Sequence, residues 1–309
     1  MLKAQTATPA NQTRFLLGVL ILILANIGFS SKAVLIKLMY QYHVDTVSVI
    51  TLRMLLSLPI FIITALWLAK RENNVKLTRQ DWIKISGLGI ISYYVSSMLD
   101  FLGLQYLSAS LERLILFTYP TMVLILSAIF LKKKITPPQY LALILTYIGI
   151  AIIFLFEKGL GEQKNLWLGA TLIFICAFTY SIYVVGTGEI VHRIGSVKFS
   201  CYAMLAATVP VLIQAGFYNG MDIFHFTKEV YVLSAWLSII ATVIPIFLIV
   251  EGIRIVGASN SSIIGFVGPV STILMGNIFL SEPITPIQLL GTAIVLLGVF
   301  LISWKGKLS

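Results

Sequence analysis

Six charged residues lie inside long apolar stretches of this chain of 309 residues, where charges are rare: Lys32, Lys37, Arg53, Asp100, Glu112 and Arg113. If these stretches cross a lipid bilayer, each charge costs roughly 2.5–3.5 kcal/mol on insertion scales, so it should face a cavity or an opposite charge. Arg53 is the best candidate for holding a carboxylate or another anion, because a guanidinium group can bind a carboxylate at two points. Asp100 or Glu112 could hold an ammonium group or a proton that drives exchange, since burial favours the neutral form of a carboxyl group.

Several of these charges also have a structural interpretation, in which they form ion pairs or reach the membrane interface. Lys37 is expected to extend its amine to the membrane interface. Arg113 could do the same, or it could pair with Asp100. Lys32 could pair with Asp100 or Glu112, or it could contact a substrate. The six charges therefore predict one polar cluster whose members are divided between ion pairs and ligand binding.

Helical spacing places further side chains beside this cluster. One polar stripe, at about 3.6 residues per turn, is formed by Tyr93, Ser96, Ser97 and Asp100. Tyr119 and Tyr180 are further candidates for lining a cavity, although most aromatic residues in membrane helices only pack. Gly28 shares a helix face with Lys32, which leaves room there for a ligand or for a close neighbouring helix.

The composition of the chain indicates whether these residues lie in a membrane or in water. The chain is 58% hydrophobic and only 11% charged, with a mean hydropathy of +0.96. Soluble domains carry about 25% charged residues, so this is predicted to be an all-α integral membrane protein. The net charge of +10 does not indicate a nucleic-acid partner, because the charges lie between apolar runs and form no basic face. Cys176 and Cys201 lie inside apolar segments and are interpreted as core residues.

The apolar runs are numerous enough for ten membrane spans. A span needs about 20 apolar residues to cross a hydrocarbon core of about 30 Å. The candidates are 15–38, 46–69, 82–103, 109–131, 138–156, 167–187, 198–218, 230–252, 259–280 and 286–304. Residues 1–14 form a polar N-terminal tail that is expected to be cytoplasmic.

The chain repeats itself at a long spacing. At a constant offset of 149, Gly103 matches Gly252 and Pro120 matches Pro269, and at 151 Pro59 matches Pro210. A period of this length indicates a duplicated half, here 15–156 and 167–304, with five helices in each. Five is an odd number, so the second half must enter the membrane from the opposite side. The sequence thus predicts a 5+5 inverted repeat around a central cavity.

Basic residues in the connections predict the orientation. Fifteen Lys and Arg residues fall on one side of the predicted spans, while the other side has only Lys158, Lys164 and Lys228. Cytoplasmic connections collect positive charge, so both termini should be cytoplasmic.

The inverted repeat favours a secondary transporter, because such proteins bind substrate near the membrane midplane where the halves meet. Prolines inside spans are expected to kink their helices, either as hinges or as fixed bends, and four of them match in pairs across the repeats: Pro59, Pro120, Pro210 and Pro269. The duplicates of Arg53 and Glu112 are Met204 and Ser261, so the scaffold alone does not require these charges.

Several stretches together carry a family resemblance. They are GLQYLSAS at 103–110, FTYP at 117–120 and IFLKKKITPPQYLALILTYIGIAIIF at 129–154, with GIRIVGASNSSIIGFVGP at 252–269 in the second half. The chain resembles the drug/metabolite transporter superfamily, specifically its ten-helix EamA-type permeases. Such permeases often have a Gly-Glu-Arg-like turn where this chain has three lysines at 132–134. The resemblance implies a helical bundle around a cavity, often in exporters of amino acids, other metabolites or drugs, and in some relatives that import.

These observations predict a secondary transporter of the bacterial inner membrane that exports a small metabolite, amino-acid-like or otherwise amphipathic. Protons are a candidate coupling ion. The alternatives are an importer on the same fold and a non-transporting membrane scaffold or sensor. No zinc-ligand spacing, phosphate-binding loop or nucleophile elbow occurs, so we expect no enzyme activity, metal or cofactor. The oligomeric state is not indicated.

Overall fold

The structure is a computed structural model that describes residues 9–70, 75–132, 135, 137–156, 165–218, 222–257, 261, 264–265 and 267–305. These residues are almost all helical, with no strand among them. The helices are α1 (Pro9–Gln41), α2 (Thr46–Ala69), α3 (Arg79–Leu104), α4 (Ala109–Leu131), α5 (Pro137–Phe156), α6 (Leu166–Ile194), α7 (Ser196–Tyr218), α8 (Lys228–Val256), α9 (Val267–Leu280) and α10 (Pro286–Lys305).

Seven of these helices, α1 to α4 and α6 to α8, are long and apolar enough to cross a membrane by length and composition. The protein is therefore an integral membrane protein with an all-helical fold. Each predicted span overlaps one helix in the described part of the chain. The count of ten spans and the inverted 5+5 arrangement stay predictions.

The first helix begins earlier than the predicted span. α1 is already helical at Pro9, the first residue that the structure describes. The second part of the predicted tail, from Pro9 onward, is thus helical, and residues 1–8 lie outside the described residues. Leu16, Leu20 and Leu24 are more than half exposed on one face of α1, whereas Leu22 is fully buried. The exposed leucines suit contact with lipid.

Short polar side chains set where three of the helices begin. Asp45 caps α2, because its carboxylate accepts a hydrogen bond from the Ser48 amide at 3.0 Å. Thr78 and Asp81 form a reciprocal capping box at the start of α3. Ser108 caps α4 by accepting from the Leu111 amide at 3.2 Å.

Two helices contain a π-helical segment at equivalent places. In α3 it covers Ile90–Ser96 and in α8 it covers Ile239–Val243, and the two starting residues are 149 positions apart. The wider turn leaves backbone carbonyl groups without their usual amide donors, and side-chain hydroxyl groups donate to two of these carbonyls. Ser96 donates to the Ile91 carbonyl at 2.9 Å, and Thr242 donates to the Leu237 carbonyl at 2.8 Å. Segments of this kind often occur at functional sites, and both of these contribute residues to the cavity described below.

The four prolines differ in their effect on the backbone. α4 is interrupted at Phe117 and Thr118, directly before the turn that contains Pro120. Pro59 and Pro210 lie inside α2 and α7, which continue through them as helices. Pro269 lies in the first turn of α9. The interruption at Pro120 follows from the missing backbone donor, while hinge motion at all four prolines stays a prediction.

The first five and the last five helices make equivalent contacts. If each helix is replaced by its counterpart in the other set, the same pairs of helices pack together. α1 packs on α8 and α9, and correspondingly α6 packs on α3 and α4. α2 packs on α7, and α5 packs on α10. Glycine permits the close approach: a Cβ at Gly28 would lie 3.0 Å from the Ile240 carbonyl oxygen, and one at Gly89 would overlap the Ala203 carbonyl group. The small face at Gly28 therefore admits a close helix.

Candidate functional site

A cavity lies between α1, α2, α3, α4, α6 and α8, and so takes residues from both predicted halves. It contains about 630 Å³ of space outside the atoms, counting its open mouth. Its charged lining residues are Lys32, Arg53, Asp100 and Arg113, and its aromatic ones are Phe29, Tyr93, Tyr119 and Tyr180. Seven of the eight candidate site residues proposed from the sequence, all but Glu112, thus lie around one space.

Lys32 and Asp100 form a buried ion pair between α1 and α3. Only 5% of Lys32 and 1% of Asp100 is exposed. The Lys32 amine also lies 4.5 Å from the centre of the Phe29 ring. From the sequence, Asp100 and Glu112 were both considered as ionic partners of Lys32, and the structure shows the pair with Asp100. This pair is electrically neutral as a unit.

Glu112 lies behind the cavity and not on its lining. Its side chain is fully buried, and neither carboxyl oxygen receives a hydrogen bond from a donor in the described residues. The carboxyl group instead contacts that of Asp100. Two ionised carboxylates offer each other no donor, so this contact becomes a hydrogen bond only when one of them carries a proton. The arrangement is suited to holding one proton between the two groups.

Arg53 extends from α2 across the cavity to α3. Its Nη2 atom donates to the Tyr93 carbonyl at 3.1 Å and to the Ser97 hydroxyl at 3.0 Å. The guanidinium carbon lies 4.9 Å from the centre of the Phe101 ring. Its Nε atom is buried without an acceptor among the described residues. Neutral oxygens and an aromatic face thus hold the cation in place.

Arg113 lies against α1 and α9. Its guanidinium group occupies the space that a side chain at position 268 would fill, which is available because that residue is glycine. The guanidinium carbon lies 5.5 Å from the Phe29 ring centre, and Nε has no acceptor in the described residues. Within this part of the chain, no carboxylate comes within ion-pair distance of Arg53 or Arg113. Neither a pair with Asp100 nor an extension to the interface, the two structural options for Arg113, is observed.

The aromatic residues form a connected wall. The ring centres of Tyr119 and Tyr180 are 5.2 Å apart, and those of Tyr180 and Tyr183 are 5.8 Å apart. Tyr93 and Tyr183 share a hydrogen bond between their hydroxyl groups. Phe29 stacks with Tyr180 at 6.5 Å. The wall therefore presents apolar faces together with hydroxyl groups.

The lining residues that sequence reasoning missed include Asn26, Cys176 and Thr242. Asn26 lies one helical turn before Phe29, and this spacing could have indicated it. Cys176 was interpreted as a core residue, and it is both buried and on the lining. Thr242 had no signal in the sequence, because its direction depends on the π-helical turn of α8.

Two charged residues lie away from the cavity and connect elements. The Lys37 amine donates to the Leu107 carbonyl at 2.8 Å, and so stabilises the turn after α3. Glu282 accepts hydrogen bonds from the amides of Ala109 and Ser110, at 2.8 and 3.2 Å, and from the Ser110 hydroxyl. It thereby caps α4 from the segment between α9 and α10. EamA-type permeases often have a Gly-Glu-Arg-like turn at this place. This chain has three lysines there in its first half but a glutamate, Glu282, in its second half, and that glutamate could have indicated the cap.

An all-helical membrane protein with buried charges around a cavity between two sets of helices has the architecture typical of polytopic transport proteins. The model of the EamA-like transporter family matches residues 16–155 and 167–304. The chain therefore belongs to the EamA-like transporter family, part of the drug/metabolite transporter superfamily, and the resemblance noted in the sequence is confirmed.

Relatives with similar sequences are also transporters by name. The chain is 31% identical over 292 residues to the uncharacterized transporter YcbK of Bacillus subtilis, a match that covers 92% of this chain and 91% of YcbK. It is 22% identical over 315 residues to the uncharacterized transporter sll1319 of Synechocystis, with 94% of each chain covered. A solved crystal structure of a protein 14% identical superposes with a TM-score of 0.69, over 93% of this chain and 98% of that one. This likeness shows a shared fold, and the family makes the chain a membrane transporter.

Proposed function

We propose that the chain is a secondary active transporter that carries a small metabolite through the central cavity by alternating access. The observation that carries this proposal is the buried, charged cavity lined by α1 to α4 from one half and by α6 and α8 from the other. A site shared by two sets of helices can face each side of the membrane in turn when the sets rock against each other. We assign the protein to the bacterial inner membrane, with both termini cytoplasmic and with export as the direction.

Contacts at opposite ends of the bundle support the rocking mechanism. Asp81, at the start of α3, pairs with Arg193, at the end of α6. Glu282 caps the start of α4, which follows the far end of α3. Each contact joins residues of 15–156 to residues of 167–304. Opening the cavity at either end would require the contact at that end to separate, so the two contacts are candidates for alternating closures.

The carboxyl contact between Asp100 and Glu112 supports protons as the coupling ion. The charged and titratable groups around it are Lys32, Arg53 and Arg113, with the Cys176 thiol and the Tyr40 hydroxyl close by. A shared proton would satisfy carboxyl oxygens that otherwise lack donors. Its release would add a negative charge beside the cavity, so proton and substrate binding would be linked electrostatically.

The transport proposal is tested in cells that overproduce the native protein, Arg53→Ala or neither. A metabolite enriched in the medium only with the native protein would support export and place Arg53 on its path. Accumulation inside the cells would instead support import. If Arg53→Ala and Glu112→Gln both leave the phenotype of the overproducing cells unchanged, the protein behaves as a scaffold or sensor and the proposal fails.

Coupling is tested with purified protein in liposomes under an imposed pH gradient, once a substrate is known. Glu112→Gln keeps a donor beside Asp100 but cannot release a proton. We expect the variant to exchange substrate across the membrane and to lose acceleration by the gradient. Glu229→Gln changes an exposed carboxylate outside the cavity, and this variant should still be accelerated by the pH gradient. Equal acceleration of the native protein and Glu112→Gln would remove Glu112 from the coupling.

A further inference from the structure

The charges that line the cavity do not balance. Lys32 and Asp100 neutralise each other in their ion pair. Arg53 and Arg113 remain, both about 95% buried and both without a described carboxylate within ion-pair distance. The lining thus carries an excess of two positive charges, and the whole cluster keeps this excess while Glu112, buried behind the lining, is protonated.

Buried cations without counter-ions are costly, and a bound anion would remove that cost. Each guanidinium group has an Nε atom that donates to no described residue. Arg53 is fixed by the Tyr93 carbonyl and the Ser97 hydroxyl, and Arg113 is fixed by the space at Gly268. Both donors are therefore pre-organised, and a guanidinium fork matches the geometry of a carboxylate.

The cavity offers little to an ammonium group. Asp100, the one acidic residue among the described lining residues, is already paired with Lys32. The two arginines would repel an additional cation. The stacked rings of Phe29 and Tyr180 can instead hold an apolar or flat substrate body.

We propose that the substrate is an organic anion, such as a carboxylate, that carries no ammonium group and is bound between Arg53 and Arg113. This inference rests on the proposed function and narrows its substrate from amino-acid-like compounds to acids. The anion lies between α2 and α4, and its apolar part lies on the aromatic wall. The arginines are substrate-binding groups and have no chemical step to perform.

The cavity contains a natural reporter for a test that does not depend on transport. Cys176 lines the cavity, and the chain has only one other cysteine, Cys201, which is fully buried elsewhere. A Cys201→Ser variant leaves Cys176 as the single thiol. Its modification is followed by mass spectrometry with two methanethiosulfonate reagents of similar size, one anionic (sulfonatoethyl) and one cationic (trimethylammonioethyl). Each rate is divided by the rate of the same reagent with a free small thiol.

We expect the anionic reagent to be favoured at Cys176 by roughly tenfold or more, since two unbalanced charges act at short range in a partly desolvated space. Arg53→Gln and Arg113→Gln should each reduce this preference, and the double variant should remove it. Arg14→Gln removes an exposed arginine from the first helix and should leave the preference unchanged. A preference for the cationic reagent, a preference unaffected by either cavity variant, or no reaction with either reagent would overturn the proposal.

A second arm uses three matched compounds as protectants of Cys176: 3-phenylpropanoate, phenylalanine and phenethylamine. They share an aromatic body and carry a carboxylate, both groups, or an ammonium alone. We expect protection to fall in that order, with at least a tenfold difference between the first and the last. Stronger protection by phenylalanine or phenethylamine would overturn the assignment to acids. If the acid protects Cys176 but no acid crosses the membrane in liposomes, the proposed transport fails while the anion site stands.

Discussion

At the scale of single residues, the site depends on how charges are paired. Lys32 and Asp100 are buried together, and each has only the other as an ionic partner among the described residues. Their mutual attraction offsets the loss of hydration only while both are present. Arg53 and Arg113 are held by neutral groups, which leaves their charge available. Ligand binding and stability therefore rest on different cations of one cluster.

Removing one member of the ion pair should be far more costly than removing both. We expect Lys32→Met to lower the free energy of unfolding by about 3–5 kcal/mol, because it leaves the Asp100 carboxylate without a counter-ion. The double variant Lys32→Met/Asp100→Leu should recover most of that loss. Thermal unfolding in detergent, followed by intrinsic fluorescence, measures the difference. Lys37→Met is the control and should cost much less, since that amine bonds only backbone carbonyls. Simple additivity in the double variant would contradict the interpretation.

Gly268 should matter for binding through Arg113. A methyl group at this position would collide with the guanidinium group and displace it from the cavity. We expect Gly268→Ala to reduce the preference of Cys176 for the anionic reagent about as much as Arg113→Gln does. Gly216→Ala is the matched control, because a Cβ there meets no atom within 4 Å. If both glycine variants react like the native protein, Arg113 is not positioned by Gly268.

At the scale of helices, irregular turns direct side chains to the site. The π-helical segments of α3 and α8 place Tyr93, Ser96 and Thr242 at the cavity. One extra residue per turn rotates the following part of the helix, so a face deduced from regular spacing shifts there. The break before Pro120 does the same for α4, where Arg113 precedes it and Tyr119 follows it. The irregular turns thus direct polar side chains from several helix faces toward the cavity.

Glu282 is expected to stabilise the fold by capping α4 from the other half of the chain. Glu282→Ala removes a carboxylate that accepts from two amides and a hydroxyl at the start of that helix. We expect a loss of about 1–3 kcal/mol, which combines a lost cap with charged hydrogen bonds. A lower midpoint of thermal unfolding would show it. Glu229→Ala, at the exposed start of α8, should change the midpoint little. An equal effect of both variants would argue against a specific cap.

At the scale of the whole molecule, the two predicted halves make equivalent helix contacts but contribute different kinds of residue to the site. Their helices make reciprocal contacts, and their π-helical segments start 149 residues apart. All four charged lining residues nevertheless come from the first half. The positions equivalent to Arg53 and Glu112 are Met204 and Ser261, both buried. The predicted duplication would account for these equivalent contacts, and divergence between the copies would account for charges that occur in only one of them.

The predicted orientation places both termini in the cytoplasm. A fluorescent protein fused after Ser309 should fold and fluoresce, whereas alkaline phosphatase fused there should be inactive, because each matures on only one side of the inner membrane. The same reporters inserted at residues 157–164 should give the opposite result, since that connection is predicted on the outer side. Equal results at both positions would refute an odd number of spans between them, and with it the inverted relation of the halves.

Hydropathy, which is a local property, was sufficient to predict a helical membrane protein, and the resemblance carried by stretches such as GLQYLSAS and FTYP was sufficient to predict the EamA type. Residue types and their spacing also predicted that Arg53, Asp100 and Tyr180 belong to one polar site, since buried charges must converge on a cavity or on each other. Only the tertiary structure paired Lys32 with Asp100, left Arg113 facing the cavity beside Gly268, and brought Glu282 to α4. Those outcomes depend on distances between helices far apart in the chain. Irregular turns in α3, α4 and α8 also change which side chains face the cavity, and regular periodicity does not reveal them.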